Sequence, residues 1–195
     1  MIKNIVFDFG GVLGSNSNES FIELLAKCGL DEEAAMAILR EHWFKLKTGA
    51  EDTTAIWQAA RERLKAPAPN LAEEYNDLIW VDEAVLAVCR SLKARGYRLG
   101  VLANEAAEWM EVKRQKGRLN EIFEVVYSSA DIQTYKPMPE AYQKILKSLG
   151  AKAEETLFID NLERNLPAAE ALGMTTILFK DVEQLQAELK KSLGE

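Results

Sequence analysis

The stretch that decides the fold lies near the start of the chain and is Lys3-Asn4-Ile5-Val6-Phe7-Asp8-Phe9-Gly10-Gly11-Val12-Leu13. Its apolar part, residues 3–9, has the length and the β-branched and aromatic composition of a buried strand. An aspartate at the end of such a strand is costly to bury without a cation or hydrogen-bond donors. The two glycines that follow permit a tight turn and a close approach of the backbone to a ligand. The stretch therefore predicts a strand that ends at a ligand site containing Asp8.

Four further apolar runs are predicted to be buried parallel strands: residues 97–103, 123–127, 156–159 and 175–179. Amphipathic helical patterns separate most of the strands. Three of these patterns stop at a glycine, as helices often do: residues 82–95 before Gly96, 139–149 before Gly150 and 163–172 before Gly173. A repeated order of strand, helix and strand predicts an α/β fold with a doubly wound, Rossmann-like parallel sheet of five strands.

The segment between the first strand and about residue 80 has helical periodicity and no convincing strand. Pro67 and Pro69 interrupt it before a last predicted helix at residues 71–79. A total of 195 residues suits one compact domain with a modest insertion. The predicted organisation is an α/β core domain and a helical cap domain, formed by residues 1–14 with 82–195 and by residues 15–81.

Charge and composition exclude several classes of protein. The net charge of -7 and the pI near 5.0 oppose binding to nucleic acid, whose phosphates are negative. The apolar start is too short for a signal sequence, and no run of about 20 apolar residues predicts a membrane span. We therefore expect a cytoplasmic protein that binds neither nucleic acid nor membrane. Cys28 and Cys89 each lie among apolar residues of a helical pattern and are expected to be buried free thiols.

Polar residues follow several of the predicted strands. Ligands of an open parallel sheet bind beyond the carboxyl ends of the strands, where Asp8, Asn104 and Asp160 lie. An aspartate after a strand often only caps the next helix, and this is the favoured interpretation of Asp160 taken alone. Lys136, however, precedes a helix that begins with prolines, at a position where the helix dipole favours anions. Together these residues predict a Mg²⁺ ion between Asp8 and Asp160, because Mg²⁺ prefers one or two carboxylates with water and substrate oxygens.

Four ordered segments resemble the sequence signatures of the haloacid dehalogenase-like (HAD) hydrolases. They are Val6-Phe7-Asp8-Phe9-Gly10-Gly11-Val12-Leu13, then Leu102-Ala103-Asn104, then Tyr135-Lys136-Pro137-Met138-Pro139-Glu140, and then Leu157-Phe158-Ile159-Asp160-Asn161 with Asn165 and Ala171-Leu172-Gly173-Met174. The resemblance covers almost the whole chain, and the helical insertion is similar to the C1-type cap of that superfamily. It implies Mg²⁺-dependent hydrolysis of a small phosphorylated metabolite through an aspartyl-phosphate on Asp8.

The resemblance also implies a role for each matching position. Asp8 is the implied nucleophile, Lys136 neutralises it and the phosphoryl oxygens, and Asn161 supports the site. The implied metal ligands are Asp8, the backbone carbonyl of Gly10, and Asp160. The implied phosphate-binding residues are Gly10, Gly11, Ala103, Asn104 and Lys136.

Three positions depart from the pattern. Phosphatases of the superfamily usually have a second aspartate at Gly10, and losing such a general acid or base costs about 10²- to 10⁴-fold in rate. Ala103 replaces a hydroxyl residue that donates to phosphate, and Asn161 replaces a second acid. Gly10 and Ala103 therefore keep open a catalytically silent relative that binds a ligand or a protein. A 2-haloacid dehalogenase is a further alternative, which Ala103 and Asp160 oppose.

Other residues near the predicted site have less specific interpretations. Glu19, or with less support Ser15 and Ser17, could transfer a proton in place of an aspartate at position 10. The charge of Glu105 is unfavourable beside a phosphate site unless the side chain points away or contacts a substrate cation. His42 is expected on an exposed helix face. The tryptophans are expected in packing within the cap or between cap and core: Trp43, Trp57, Trp80 and Trp109.

Overall fold

The computed structural model describes residues 1–64 and 70–194, and a parallel sheet lies at its centre. Its five strands are β1 (Asn4–Phe7), β2 (Arg98–Ala103), β3 (Val125–Ser128), β4 (Thr156–Asp160) and β5 (Thr175–Leu178). They pair in the order β3-β2-β1-β4-β5, with every pairing parallel. This confirms the predicted doubly wound α/β fold. The connections run in opposite directions from β1, so the carboxyl end of β1 is the place where such a sheet binds ligands.

The described residues form eleven α-helices. Four lie between β1 and the next core helix: α1 (Ser17–Lys27), α2 (Glu32–Thr48), α3 (Thr53–Arg63) and α4 (Leu71–Leu78). The others are α5 (Glu83–Ala94), α6 (Ala107–Lys116), α7 (Leu119–Ile122), α8 (Ser129–Ile132), α9 (Pro139–Leu149), α10 (Leu166–Ala171) and α11 (Val182–Leu193). Short 3₁₀ helices span Ala153–Glu155 and Glu163–Asn165.

Helices cover both faces of the sheet. Successive residues of a strand point to opposite faces, so each face of β1 packs against its own set of helices. Ile5 and Phe7 of β1 pack in an apolar cluster with α5, α7 and α11. Val6, between them, packs in a second cluster with α9 and α10. Residues of β1 are fully buried on both faces, which explains why the strand appears in the sequence as a continuous apolar run.

Aspartates start several helices, and glycines end several. Asp31, Asp52, Asp82 and Asp181 each accept a backbone N–H in the first turn of the helix that follows. Helices α2, α9 and α11 end at glycines with positive φ, a conformation that glycine adopts without a Cβ clash. Local sequence therefore accounts for these seven helix ends.

The four helices α1–α4 share one apolar cluster, in which Phe21, Trp57 and Tyr75 are buried. The cluster also includes Ala106 and Trp109, which follow β2, so the helical insertion packs directly on that part of the chain. The division into a core domain and a cap domain stays a prediction. Pro67 and Pro69 lie outside the described residues.

Several local predictions were wrong in detail. Residues 163–172 were predicted as one helix but form a 3₁₀ turn followed by α10, and the short helices α6–α8 were not predicted. Cys89 is a buried free thiol, whereas Cys28 is only half-buried because it follows the end of α1. Trp80 is exposed over 56% of its surface, and His42 is half-buried beside Glu51.

No helix in the described ranges is long and apolar enough to span a lipid bilayer.

Candidate active site

The register of the sheet brings two carboxylates together. Phe7 of β1 pairs with Ile159 of β4, and the N–H of Asp8 donates to the Ile159 carbonyl over 2.8 Å. Asp8 therefore lies directly beside Asp160, the last residue of β4. Asp8 is only 6% exposed and Asp160 is fully buried, so both charges are removed from bulk water. Such a pair requires a cation.

Lys136 supplies that cation. Its Nζ lies 2.8 Å from Asp8 Oδ1 and 2.6 Å from Asp160 Oδ2, and its side chain is almost completely buried. Asn104, after β2, fixes the lysine backbone through two hydrogen bonds of 2.8 Å. Asn104 Nδ2 donates to the Lys136 carbonyl, and the Lys136 N–H donates to Asn104 Oδ1. The amide of Asn104 thereby holds the segment before α9 against the carboxyl end of β2.

The two aspartates differ in how completely they are hydrogen-bonded. Asp160 Oδ1 accepts from the Leu162 N–H over 2.8 Å, and Oδ2 accepts from Asn165 Nδ2 over 2.9 Å as well as from Lys136. Asp8 Oδ1 accepts from the Phe9 N–H over 2.6 Å and faces Lys136. No donor from residues 1–64 or 70–194 reaches Asp8 Oδ2. Asp8 therefore keeps one carboxylate oxygen free.

Burial and neighbouring charges shift the pKa values of both Asp8 and Lys136. Burial raises the pKa of Asp8 from 3.8 to about 6, with Lys136 opposing the rise and Asp160 adding to it. Burial acts to lower the pKa of Lys136, but the carboxylates of Asp8 and Asp160 outweigh it and hold that pKa above its ordinary value. The lysine therefore stays charged, while two carboxylates share one cation.

A cavity of about 440 Å³ opens beside this network. Four of the predicted site residues line it: Asp8, Gly10, Asn104 and Lys136. The other four predicted positions are not among the lining residues: Gly11, Ala103, Asp160 and Asn161. Asp160 lies behind Lys136, and Ala103 is buried in the sheet at 2% exposure.

The two adjacent glycines differ in the space around them. A Cβ on Gly10 would lie 3.8 Å from the Asn16 Cα, an ordinary contact, and the backbone there does not require positive φ. Gly11 has a φ of +78°, and a Cβ would lie 2.3 Å from Asn161 Nδ2. Asn161 thus packs against the turn after β1, and its Oδ1 is buried without a hydrogen-bond partner among the described residues. Position 11 requires glycine, whereas position 10 has room for a side chain.

A second buried ion pair borders the same cavity. Glu105 lines it and contacts Nζ of Lys113, which lies on α6 and is completely buried. Ser17, the first residue of α1, donates from Oγ to Glu105 Oε2 over 2.5 Å and accepts from Lys113 Nζ over 2.7 Å. The remaining Glu105 oxygen accepts from the Ala106 N–H over 3.1 Å. The charge of Glu105, unfavourable for an anion site, is therefore neutralised inside the protein.

Lys113 was not predicted from the sequence, although a signal for it exists. Ala106, Trp109, Met110 and Lys113 have the spacing of one helix face, and the first three are apolar. A lysine on an apolar face indicates a buried partner. Of the residues considered for proton transfer, Ser17 lines the cavity, Ser15 is buried and accepts from the Trp80 N–H, and Glu19 is exposed outside the cavity.

Two further cations line the cavity and were also not predicted. Lys47 of α2 lies with its Nζ 3.8 Å from the centre of the Tyr135 ring, and Arg164 lies in the 3₁₀ helix Glu163–Asn165. Trp43, one turn before Lys47 on α2, lines the cavity as well rather than serving only in packing. The sequence gives no pattern that joins α2 to the segment after β4, so this proximity depends on the tertiary fold.

The donor set suits a hard cation. Across the described ranges, no group of three or more His, Cys, Asp or Glu side chains is arranged to hold a metal ion. Any ion here would rely on the carboxylates of Asp8 and Asp160 and on the Gly10 carbonyl. Mg²⁺ accepts such a set, since it commonly takes one or two carboxylates and completes its shell with water and phosphate oxygens. The unbalanced negative charge of the two aspartates favours such binding.

This chain belongs to the haloacid dehalogenase-like hydrolases, whose family profile matches residues 5–179. Among curated proteins, it is 32% identical over 104 residues to pyrophosphatase PpaX of Bacillus cereus strain B4264. The matched region covers 53% of this chain and 48% of that protein. PpaX of Bacillus mycoides strain KBAB4 is 30% identical over 105 residues, with 54% and 49% covered. The matched region thus spans about half the length of these relatives.

Solved structures share the fold over nearly the whole chain. A HAD-like family hydrolase from Porphyromonas gingivalis superposes with a TM-score of 0.78 at 25% identity, covering 100% of this chain and 99% of that one. A HAD family enzyme from Bacteroides thetaiotaomicron, in complex with magnesium and inorganic phosphate, has a TM-score of 0.79 at 23% identity, covering 95% and 99%. The second likeness shows the fold alone.

Proposed function

We propose that this protein is a Mg²⁺-dependent phosphohydrolase that forms an aspartyl-phosphate on Asp8. One observation carries the proposal: Asp8 lines the cavity and has a carboxylate oxygen that no described residue donates to. Glu105 and Asp160, the other buried carboxylates nearby, have both oxygens engaged. Of these three groups, Asp8 alone keeps an oxygen available for attack.

The proposed reaction has two steps. Asp8 Oδ2 attacks phosphorus and forms a P–O bond, while the bond from phosphorus to the leaving oxygen breaks. Water then hydrolyses the aspartyl-phosphate, which releases inorganic phosphate and regenerates the carboxylate. Lys136 holds Asp8 through Oδ1 and neutralises charge on the transferring phosphoryl group. Asn104 positions Lys136 through its backbone.

Asp8, Asp160 and the Gly10 carbonyl are the groups that would hold Mg²⁺. When bound, the ion would supply Lewis-acid stabilisation and reduce the repulsion between an anionic nucleophile and an anionic phosphate. The relatives support this assignment as well. Proteins of similar sequence are named pyrophosphatases, and a structural neighbour was crystallised with magnesium and inorganic phosphate.

The cavity favours a small phosphorylated metabolite. Its volume of about 440 Å³ lies in the range of small-ligand sites. Asn16, Ser17 and Lys47 line it from the helical insertion, whereas Asp8 and Lys136 line it from the sheet. We therefore propose that residues 15–81 act as a cap that selects the substrate. Gly10 carries no acid, so leaving groups that depart without protonation, such as those of acyl or anomeric phosphates, are favoured.

The test is hydrolysis of acetyl phosphate, glucose 1-phosphate and p-nitrophenyl phosphate with and without Mg²⁺. We expect Mg²⁺-dependent turnover that Asp8→Asn reduces by at least about a thousandfold, as loss of a nucleophile does. Asp181→Asn is the matched control, because Asp181 caps the distant helix α11 and asparagine caps equally well.

Two outcomes would contradict the proposal. Turnover that never exceeds that of Asp8→Asn would favour a catalytically silent binding protein. Release of halide from 2-chloropropionate without Mg²⁺ would favour a dehalogenase.

A further inference from the structure

Two cations line the active-site cavity without an ion-pair partner in the described ranges. Lys47 comes from α2, and Arg164 comes from the segment after β4, more than a hundred residues later in the sequence. Among the described residues, neither forms an ion pair with a carboxylate. Lys45, on the same helix as Lys47, shows the more usual arrangement, with its Nζ 3.1 Å from Glu51. The acidic residues that the structure describes thus leave both of these cations without a carboxylate partner at one cavity.

The two cations line one cavity, where the charge of Arg164 acts on Lys47. Burial lowers the pKa of Lys47, and the charge of Arg164 lowers it further. Like charges held near one another without an anion between them destabilise the folded protein. Such an arrangement has a direct explanation when an anionic ligand binds between the two charges.

Lys47 is also held in place. Its Nζ lies over the Tyr135 ring, and Phe44 packs edge-on against the same ring with centroids 5.8 Å apart. An ammonium over an aromatic face is attracted by the ring and loses mobility. Since Tyr135 precedes Lys136, this contact joins α2 to the segment that carries the catalytic lysine. The cation is therefore positioned before any ligand arrives.

Two separate groups of charge lie at the cavity, and the first includes Asp160, which pairs with Lys136 behind the lining. Asp8, Asp160 and Lys136 carry one more negative charge than positive, and neither Lys47 nor Arg164 contributes to the pKa shifts of Asp8 and Lys136. The second group is Lys47 with Arg164, which carries two positive charges. Glu105 does not offset this second group, because Lys113 already neutralises it. A ligand that spans both groups would present phosphate to the first and another anion to the second.

We propose that Lys47 and Arg164 bind a second anionic group on the substrate, so that the preferred substrates are phosphate esters or anhydrides whose leaving group already carries a negative charge in the intact substrate. The second group is a carboxylate or a phosphate, both of which suit a guanidinium fork and an ammonium. In an anhydride such as inorganic pyrophosphate, the Asp8 Oδ2–P bond forms and the bridging P–O bond breaks. Its electron pair stays on the departing phosphate, where the two cations would stabilise the charge that Gly10 cannot neutralise with a proton.

The inference rests on the proposed function, and matched substrate pairs test it. Inorganic pyrophosphate is compared with acetyl phosphate, and phosphoglycolate with 2-hydroxyethyl phosphate, so that each pair differs in the second anion. In the wild type we expect kcat/KM to favour the anionic member, by a margin that shrinks as NaCl screens the cations. Lys47→Met and Arg164→Gln should each lower kcat/KM for the anionic member by about tenfold or more, and for its partner by much less.

Lys45→Met is the matched control, because Lys45 lies on the same helix, pairs with Glu51 and does not line the cavity. We expect it to leave the substrate preference unchanged. The pair that loses more turnover in the variants identifies the second anion as phosphate or carboxylate. Equal losses for both members of each pair, or a wild-type preference for the neutral members, would overturn the inference. Asp8-dependent turnover of acetyl phosphate would then still support the proposed function.

If none of the substrates is hydrolysed, the result counts against the proposed function. The second anion site is then tested by a binding measurement. Calorimetry would compare inorganic pyrophosphate with inorganic phosphate, each with Mg²⁺, on the wild type and Lys47→Met. Weaker binding of pyrophosphate in the variant, with little change for phosphate, would support a second anion site. Absence of pyrophosphate binding, or an equal loss for both ligands, would overturn it.

Discussion

Two buried lysines pair with carboxylates that lie at the same cavity, and the two ion-pair networks differ in how completely the carboxylates are hydrogen-bonded. Lys136 joins Asp8 and Asp160 at the carboxyl ends of β1 and β4. Lys113 joins Glu105 and Ser17 where α1 meets α6. Both ammonium groups are almost completely removed from solvent, at 1% and 0% exposure. Burial of a charged side chain therefore does not by itself mark the catalytic residue.

The difference lies in the oxygens that each lysine faces. Both oxygens of Glu105 are hydrogen-bonded, so the Lys113 network is complete within the protein. Asp8 keeps Oδ2 free at the cavity, so the Lys136 network is complete only when something else binds. A buried network with an unbonded oxygen at a cavity indicates chemistry, whereas a complete one indicates a structural tie.

The largest expected effect is a loss of stability when either lysine is removed. Lys113→Met and Lys136→Met each leave buried carboxylate without its cation, which costs about 3–5 kcal/mol of unfolding free energy. The two should differ in rescue. Mg²⁺ should restore stability to Lys136→Met, whose carboxylates are the proposed metal ligands, and not to Lys113→Met. Urea unfolding with Mg²⁺ or with EDTA measures both effects.

Two controls sharpen this comparison of the lysines. Adding Glu105→Gln to Lys113→Met should recover part of the lost stability, because the unpaired charge is then gone. Lys191→Met, at an exposed site on α11, should change stability little. Equal rescue of both buried-lysine variants by Mg²⁺ would remove the distinction drawn between the networks.

The sequence predicted one of these networks and not the other, for a physical reason. Asp8 and Asp160 end apolar strands, and strand ends of a parallel sheet meet at one edge, so their proximity follows from the fold class. Lys113 reaches Ser17 across 96 residues, and no strand register connects them. The contact depends on how α1 and α6 pack, which helical periodicity does not specify.

The fold likewise has parts that the sequence predicted and parts that it did not. The five strands were predicted within two residues at each end because buried parallel strands are continuous apolar runs. The short helices α7 and α8 were not predicted, since four residues are too few to show a helical period. The cation pair Lys47 and Arg164 was not predicted either, because it joins distant segments.

A smaller effect concerns the dependence of stability on pH without metal. Folded Asp8 holds its proton up to about pH 6, whereas its ordinary pKa is 3.8. Between these values the folded state binds a proton that the unfolded chain has released, so the contribution of Asp8 to stability is greatest below about pH 4. It falls as pH rises, by up to about 1.4 kcal/mol per pH unit from this group. Urea unfolding in EDTA from pH 4 to 7 measures the fall.

Asp8→Asn isolates that contribution, because asparagine does not titrate. The wild type should lose stability relative to Asp8→Asn across this range, and Mg²⁺ should flatten the difference by favouring the ionised carboxylate. A constant difference between pH 4 and 7 would show that Asp8 ionises normally in the folded protein. In that case the single cation of Lys136 would be sufficient for both aspartates.

The last prediction is a gain of activity from a substitution at Gly10, which lines the cavity. A Cβ there meets only ordinary contacts, so Gly10→Asp can place a carboxylic acid at the cavity beside Asp8. A general acid aids a poor leaving group more than a good one. We expect about a tenfold to hundredfold higher kcat/KM for glucose 6-phosphate and little change for acetyl phosphate, in a direct assay of phosphate release.

Gly11→Asp is the matched control for that gain, because it adds the same carboxylate one residue later. Position 11 has a φ of +78°, and a Cβ there collides with Asn161, so this variant should lose stability and activity with both substrates. Equal gains by Gly10→Asp on both substrates would indicate an added charge rather than an added acid. No gain on glucose 6-phosphate would mean that an acid at position 10 is not placed to protonate the leaving group.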